Sequence, residues 1–385
     1  MDVEIGLGKK ARRAYGFDDV AIVPSRRTRD PDDVDIGWKL GDYLLELPLL
    51  ASAMDGVVSP KTAIEIGKLG GLGVLNLEGI FTRYARAESE LERIASFGPH
   101  EATRGMQEIY AKPIDPSLIP KRIAEIKSAG VLAAGALTPQ RVRDHYPAAR
   151  EAGLDILVIQ GTVVSAEHVS ANGSALNLKE FIASLDIPVI VGGCASYHGA
   201  LHLMRTGAEG VLVGVGPGAA CTTRGVLGVG VPQATAIADA SAARAQHLLD
   251  TTRYVNVIAD GGMRTGGDIA KAIACGADAV MIGSPLARAE DAPGRGYHWG
   301  MATFHPTLPR GARVKVEPAG TLEEILVGPA RENDGTLNLM GALRTSMATC
   351  GYENIHEFQR AEIALAPALK TEGKALQQAQ RIGMG

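Results

Sequence analysis

Thr206-Gly207-Ala208-Glu209-Gly210-Val211-Leu212-Val213 ends a helical run at a glycine and passes at once into a short aliphatic strand. Glycine just past a helix takes the left-handed cap that stops it, and a strand that is apolar on both faces belongs to a parallel sheet covered on both sides. The same unit recurs in Lys68-Leu69-Gly70-Gly71-Leu72-Gly73-Val74-Leu75, in Ala152-Gly153-Leu154-Asp155-Ile156-Leu157-Val158 and in Cys275-Gly276-Ala277-Asp278-Ala279-Val280-Met281-Ile282-Gly283. Repeated helix, glycine and buried strand is the pattern of βα units. Strand candidates fall at 48–54, 72–76, 130–137, 155–161, 187–193, 210–216, 255–260 and 279–283, with helices predicted at 60–70, 138–150, 197–206, 231–249 and 267–275. Eight such strands predict an α/β chain folded as a closed (β/α)8 TIM barrel, read as a single domain over 1–385.

Composition narrows the class. At 385 residues, 46% of them hydrophobic and 21% charged, the chain can bury a large core. A net charge of −4 gives no electrostatic reason for nucleic-acid or membrane-surface binding, so neither is expected as a partner. Cys194, Cys221, Cys275 and Cys350 lie far apart without C-x-x-C spacing, which indicates neither a zinc site nor a disulfide framework. No apolar run approaches the ~18 residues of a membrane span, and Met1-Asp2-Val3-Glu4-Ile5 is acidic where a secretory signal would be basic. A cytoplasmic protein is expected.

Chemistry concentrates where the sixth strand ends. Gly214-Val215-Gly216-Pro217-Gly218-Ala219-Ala220-Cys221-Thr222-Thr223-Arg224 places a thiol at the end of a glycine-rich loop. Glycines let backbone N–H groups approach an anion closely, and a thiol among such donors is placed to attack an electrophilic carbon. The bland alternative is a buried, inert cysteine. In barrels of this type the loops after the seventh and eighth strands commonly hold phosphate, and here they carry Asp260-Gly261-Gly262 and Gly283-Ser284. Two segments break the βα alternation. Residues 96–120, rich in Pro and polar residues, form a short insert, and residues 287–318 read as a long irregular flap over the catalytic end.

Five stretches together resemble the IMP dehydrogenase/GMP reductase family over nearly the whole chain. They are Tyr15-Gly16-Phe17-Asp18-Asp19-Val20, Ala51-Ser52-Ala53-Met54-Asp55, the Cys221 loop with Gly228-Val229-Gly230-Val231-Pro232-Gln233, Ile258-Ala259-Asp260-Gly261-Gly262-Met263-Arg264 with its continuation Gly266–Ala272, and Gly341-Ala342-Leu343-Arg344-Thr345-Ser346-Met347. The resemblance implies a NAD-dependent oxidation of IMP to XMP through a thioimidate on Cys221, with Thr223 beside the hydrolytic water. It implies that Asp260 holds the ribose hydroxyls, that Gly262, Gly283 and Ser284 cradle the phosphate, that Ser52, Met54, Gly300, Met301 and Ala302 line the nucleotide, and that Gly218 and Gly261 belong to the same substrate site. Gln160, Gly161, Thr162 and Gly214 fall where the family places the dinucleotide. Backbone carbonyls of Gly216, Gly218 and Cys221 match a family potassium position. A homotetramer is expected by resemblance. Asp260 has a plain alternative as a helix N-cap, and Met54 and Met301 as packing residues.

The departures from the family pattern are specific. The CBS modules that many of these dehydrogenases insert between strands two and three are replaced by 96–120, so the chain resembles a CBS-lacking branch. Ala219 stands where a phosphate-binding serine is expected, and Gln160 where an acidic residue faces the cofactor ribose. The flap has no Arg-Tyr pair to activate water, which leaves Arg310 and His305 as candidates. Two other functions stay open. One is GMP reductase, the NADPH-dependent deamination of GMP to IMP; the other is a purine nucleotide-binding homologue without turnover.

Overall fold

The computed structural model describes residues 2–167, 176–300, 313–368, 371–380 and 382. Eight parallel strands, numbered here as barrel strands, close on themselves: β1 Leu49–Ala51, β2 Leu72–Asn76, β3 Ala134–Leu137, β4 Ile156–Gln160, β5 Val189–Cys194, β6 Gly210–Val213, β7 Asn256–Asp260 and β8 Ala279–Ile282. Each strand pairs in parallel with the next, and β8 returns to β1 through Val280 opposite Leu49, Met281 opposite Leu50 and Ile282 opposite Ala51. The TIM barrel predicted from the sequence is therefore the fold.

Side-chain alternation divides each strand between two cores. Along β4, Ile156 and Val158 point into the barrel with Leu50, Val74, Ile190, Leu212, Ile258 and Met281. Leu157 and Ile159 point outward into the layer under the helices, with Leu49, Val191, Val211, Val257 and Val280. Both sets are almost wholly removed from water, which is why these strands read as continuous apolar runs.

The glycine reading of the repeat is correct. Gly70, Gly153, Gly207 and Gly276 have φ of 90°, 78°, 96° and 114°, a left-handed conformation that an L side chain would strain. Helix starts are capped as physics requires. Ser59 accepts from Thr62 N ahead of α1 (Pro60–Lys68), and Thr265 accepts from Asp268 N ahead of the helix Gly266–Ala274. A hairpin of Trp38–Leu40 with Tyr43–Leu45 sends Trp38, Leu40 and Leu45 into the interior core. Its turn lies against Pro188, and Trp38 Nε1 donates to Leu47 O at 2.9 Å, so it stops the barrel at the N-terminal ends of the strands.

The insert at 96–120 is built around a helix. Helix α2 (Ala87–Ser96) runs up to it, α3 (Ala102–Ala111) lies within it and α4 (Leu118–Ser128) begins at its end. Ala102, Met106, Ile109 and Tyr110 fall on one buried face of α3, so apolar burial at helical spacing overrides the prolines at either side. The flap, read from sequence as irregular, contains paired strands. Its described parts form an antiparallel neck in which Tyr297 pairs with Lys315 and His298 with Val314. Among the described residues, no helix is long and apolar enough to cross a membrane.

Candidate active site

A pocket opens at the C-terminal ends of the strands and collects side chains from around the rim. Ser52 and Met54 reach it after β1, Gln160, Gly161 and Thr162 at the end of β4, and Gly214 through Thr223 after β6. Asp260, Gly261 and Gly262 enter from β7, Gly283 and Ser284 from β8, and Gly300 from the flap neck. Every site residue predicted from sequence that lies among the described residues lines this one pocket. Met301, Ala302 and Arg310, together with His305, lie outside the described residues.

Cys221 is exposed and lines the pocket, so it is not the buried cysteine of the alternative reading. Its S–H donates to Thr223 Oγ1 at 3.2 Å, at the start of the short helix Thr223–Leu227. Cys194 and Cys275 are not placed this way, since burial pushes both thiols up to about 12 and leaves them protonated. The loop itself is tied from both sides. Cys221 N donates to Gly218 O at 3.0 Å, while Arg224 donates to Val215 O at 3.2 Å and to Val231 O at 2.6 Å.

Asp260 stands at the end of β7 and is not a helix cap, because Thr265 caps the helix that follows. Gln160 Nε2 donates to its Oδ2 at 3.0 Å. Burial pushes the Asp260 carboxyl up to about 7, and the Gln160 hydrogen bond opposes that shift by favouring the charged form. The amide nitrogen of Gln160 is thus turned towards the carboxylate, while its Oε1 is buried with no partner among the described residues. A buried acceptor in this position fits a ribose hydroxyl of a dinucleotide.

Two residues outside the sequence-based site set complete the rim. Gln233, from the Val231-Pro232-Gln233 run, is 4% exposed and donates to Val213 O at 3.0 Å, Asp260 O at 3.2 Å and Gly261 O at 3.3 Å. One amide therefore fixes the ends of β6 and β7 relative to each other. His298 Nε2 lies 2.8 Å from Ser284 Oγ, and burial lowers the His298 pKa so that the ring is neutral at pH 7. The two share one hydrogen bond, whose direction follows the ring tautomer, and it ties the Ser284 hydroxyl to the flap neck. Neither was recognisable from spacing, since Gln233 acts on backbone and His298 sits in a stretch read only as flap.

The Gly216, Gly218 and Cys221 carbonyls named for potassium belong to this loop, and Gly218 O also accepts the Cys221 N–H at 3.0 Å, which leaves its second lone pair open. Among the described residues no cluster of His, Cys, Asp and Glu side chains is suited to a metal, an observation that does not bear on a site of backbone carbonyls.

Comparison with known proteins agrees with this geometry. Residues 14–372 match the family model described as the IMP dehydrogenase / GMP reductase domain. A protein of Mycolicibacterium smegmatis named an uncharacterized oxidoreductase is 50% identical, the match covering 93% of this chain and 98% of that one. An inosine-5'-monophosphate dehydrogenase of Methanocaldococcus jannaschii is 29% identical, over 91% of this chain and 92% of its own. The crystal structure of an IMP dehydrogenase/GMP reductase-like protein from Corynebacterium glutamicum superposes with a TM-score of 0.90 at 46% identity, over 94% of this chain and 97% of that one.

Proposed function

We propose, from the premise that this chain belongs to the IMP dehydrogenase/GMP reductase family, that it oxidises IMP to XMP with NAD as the hydride acceptor. The observation that carries the reading is the gathering of the Cys221 thiol, the Asp260 carboxyl and the Gly283-Ser284 turn on one pocket. That is one nucleophile, one acceptor for a diol and one anion cradle, the parts a nucleoside monophosphate requires.

Asp260 accepts the ribose hydroxyls, and the turns at Gly261-Gly262 and Gly283-Ser284 donate to the phosphate, with Ser284 oriented by His298. Ser52, Met54 and Gly300 flank the nucleotide. So held, the purine presents carbon 2 to Cys221 Sγ, and a carbon–sulfur bond forms there. NAD, when bound against Gln160, Gly161, Thr162 and Gly214, supplies the oxidant that takes the hydride from that carbon. Water then adds to the resulting thioimidate carbon and the carbon–sulfur bond breaks, returning the thiol and leaving the new oxygen on XMP. Thr223 Oγ1, 3.2 Å from the sulfur, is placed to hold that water and pass its proton.

Deamination of GMP would require a group that protonates departing ammonia. Asp260 is the only carboxylate lining the pocket among the described residues, and it faces Gln160. Residues 301–312 contain neither Asp nor Glu. This supports oxidation over deamination.

The test is a paired steady-state assay. IMP with NAD should yield NADH, whereas GMP with NADPH should show no consumption of the reduced cofactor. The reverse pattern identifies a reductase, and silence in both identifies a binding protein. Cys221→Ala should lower turnover by about 10³-fold or more while IMP still binds; retained turnover would reject covalent catalysis.

A further inference from the structure

One buried side chain of the insert reaches the pocket wall. Tyr110, on α3, donates its hydroxyl hydrogen to Asp55 Oδ2 at 2.5 Å and accepts from Trp299 Nε1 at 2.7 Å. Tyr110 is 8% exposed, Asp55 1% and Trp299 0%, so the relay runs through dry interior. Its direction is fixed. An indole N–H can only donate, so the phenol oxygen accepts, and the phenol hydrogen goes to the carboxylate.

The two ends of the relay adjoin pocket residues. Asp55 follows Ser52-Ala53-Met54, and Trp299 precedes Gly300; Ser52, Ala53, Met54 and Gly300 all line the pocket. These two walls also pack directly on each other, since a Cβ on Gly56 would lie 2.8 Å from Tyr297 O and 3.1 Å from Trp299 Cζ3. The same segment holds the other strand of the neck. Arg313 donates to Ile94 O at 2.5 Å and to Phe97 O at 2.7 Å, at the end of α2, and Arg295 pairs with Glu92 at 2.7 Å.

We infer that Tyr110 is a positioning residue for nucleotide binding, through which the insert sets the spacing between the Ser52–Met54 wall and the Gly300 wall. The inference rests on the reading of the pocket as a purine nucleotide site. Phe in place of Tyr110 keeps the ring and its packing but removes the hydroxyl that the indole N–H and the carboxylate share. The neck and the loop after β1 are then free to settle at a different separation, and the cost appears in ligand affinity.

Titration calorimetry with IMP on the full chain tests this, with thermal unfolding measured alongside. Tyr110→Phe should weaken IMP binding about tenfold, the scale of one charge-assisted hydrogen bond lost between walls. Its tryptophan emission should also shift, and because Trp38 is common to both proteins the difference spectrum reports Trp299. Met106→Ala, on the buried face of the same helix but outside the relay, should lower the melting temperature and leave IMP affinity within about twofold. Unchanged IMP affinity in Tyr110→Phe, or an equal loss in Met106→Ala, overturns the inference. Absence of IMP binding to the wild-type protein is a different result; it overturns the nucleotide reading itself, and the inference with it.

Discussion

Asp278 and Asp260 sit at opposite ends of neighbouring barrel strands, and the protein treats the two carboxylates in opposite ways. Asp278, just ahead of β8 at the closed end, accepts from Arg244 at 2.6 Å, Tyr254 at 2.5 Å, Gln359 at 2.8 Å and Val257 N at 2.7 Å. Asp260, at the open end of β7, has one side-chain donor among the described residues, Gln160. A fully satisfied network admits one arrangement and fixes structure, here joining the C-terminal segment around Gln359 to the barrel floor. A carboxyl with spare acceptor capacity has room for the donors of a ligand, the role proposed for Asp260.

The sharpest way to break the comparison is Asp278→Ala. It leaves the Arg244 guanidinium, 10% exposed, without its counter-charge, and should lower unfolding free energy by about 3–5 kcal/mol in denaturant titration. Turnover per folded molecule should be unchanged. A cost below about 1 kcal/mol would mean that the floor network holds little.

Asp260→Asn should do the reverse. Replacing the carboxylate with an amide keeps the shape and removes the charged acceptor, so IMP affinity should fall about ten- to a hundredfold in calorimetry. Stability at pH 7 should be equal to the wild type or slightly higher, since a buried acid is no longer present. A large loss of stability with intact affinity would place Asp260 in the same structural class as Asp278.

The smallest effect is the dependence on pH. The folded value of Asp260, about 7, lies above the ~3.9 of an unfolded aspartate, so between those values the folded chain holds a proton that the unfolded chain has lost. The stability contributed by this group is therefore full below about 4 and is lost as pH rises through 7. Asn at the position should flatten that part of the stability curve. Ligand affinity moves the other way, because the form that accepts two ribose hydroxyls is the ionised one. IMP should bind more tightly to the wild type as pH rises through 7, relative to Asp260→Asn, in which the titration of the phosphate is common and cancels. Parallel curves for the two proteins would show that Asp260 does not titrate there.

The difference between the two aspartates also marks what sequence could and could not reveal. The barrel was legible because its signals are local: Val211-Leu212-Val213 is buried on both faces, and Gly207 caps the helix before it. The pocket was legible where backbone geometry demands glycine beside a reactive side chain, as around Cys221, Asp260 and Ser284. Networks between distant side chains were not. Tyr110 is separated from Asp55 by 55 positions and from Trp299 by 189, and nothing near any of them announces the others. The helix inside the insert was not legible for a related reason, since Gly105 within α3 is there to pack against Phe97, a contact that local composition does not show. Gln160 marks the limit of motif transfer. Its place on the rim followed from the pattern, but its bond to Asp260 depends on a strand three places round the barrel.

The Trp38 hairpin has a consequence for where ligands can sit. Trp38, Leu40 and Leu45 fill the lower end of the barrel with apolar packing, so the polar side chains that face a cavity gather at the opposite end, around the rim where the strands finish.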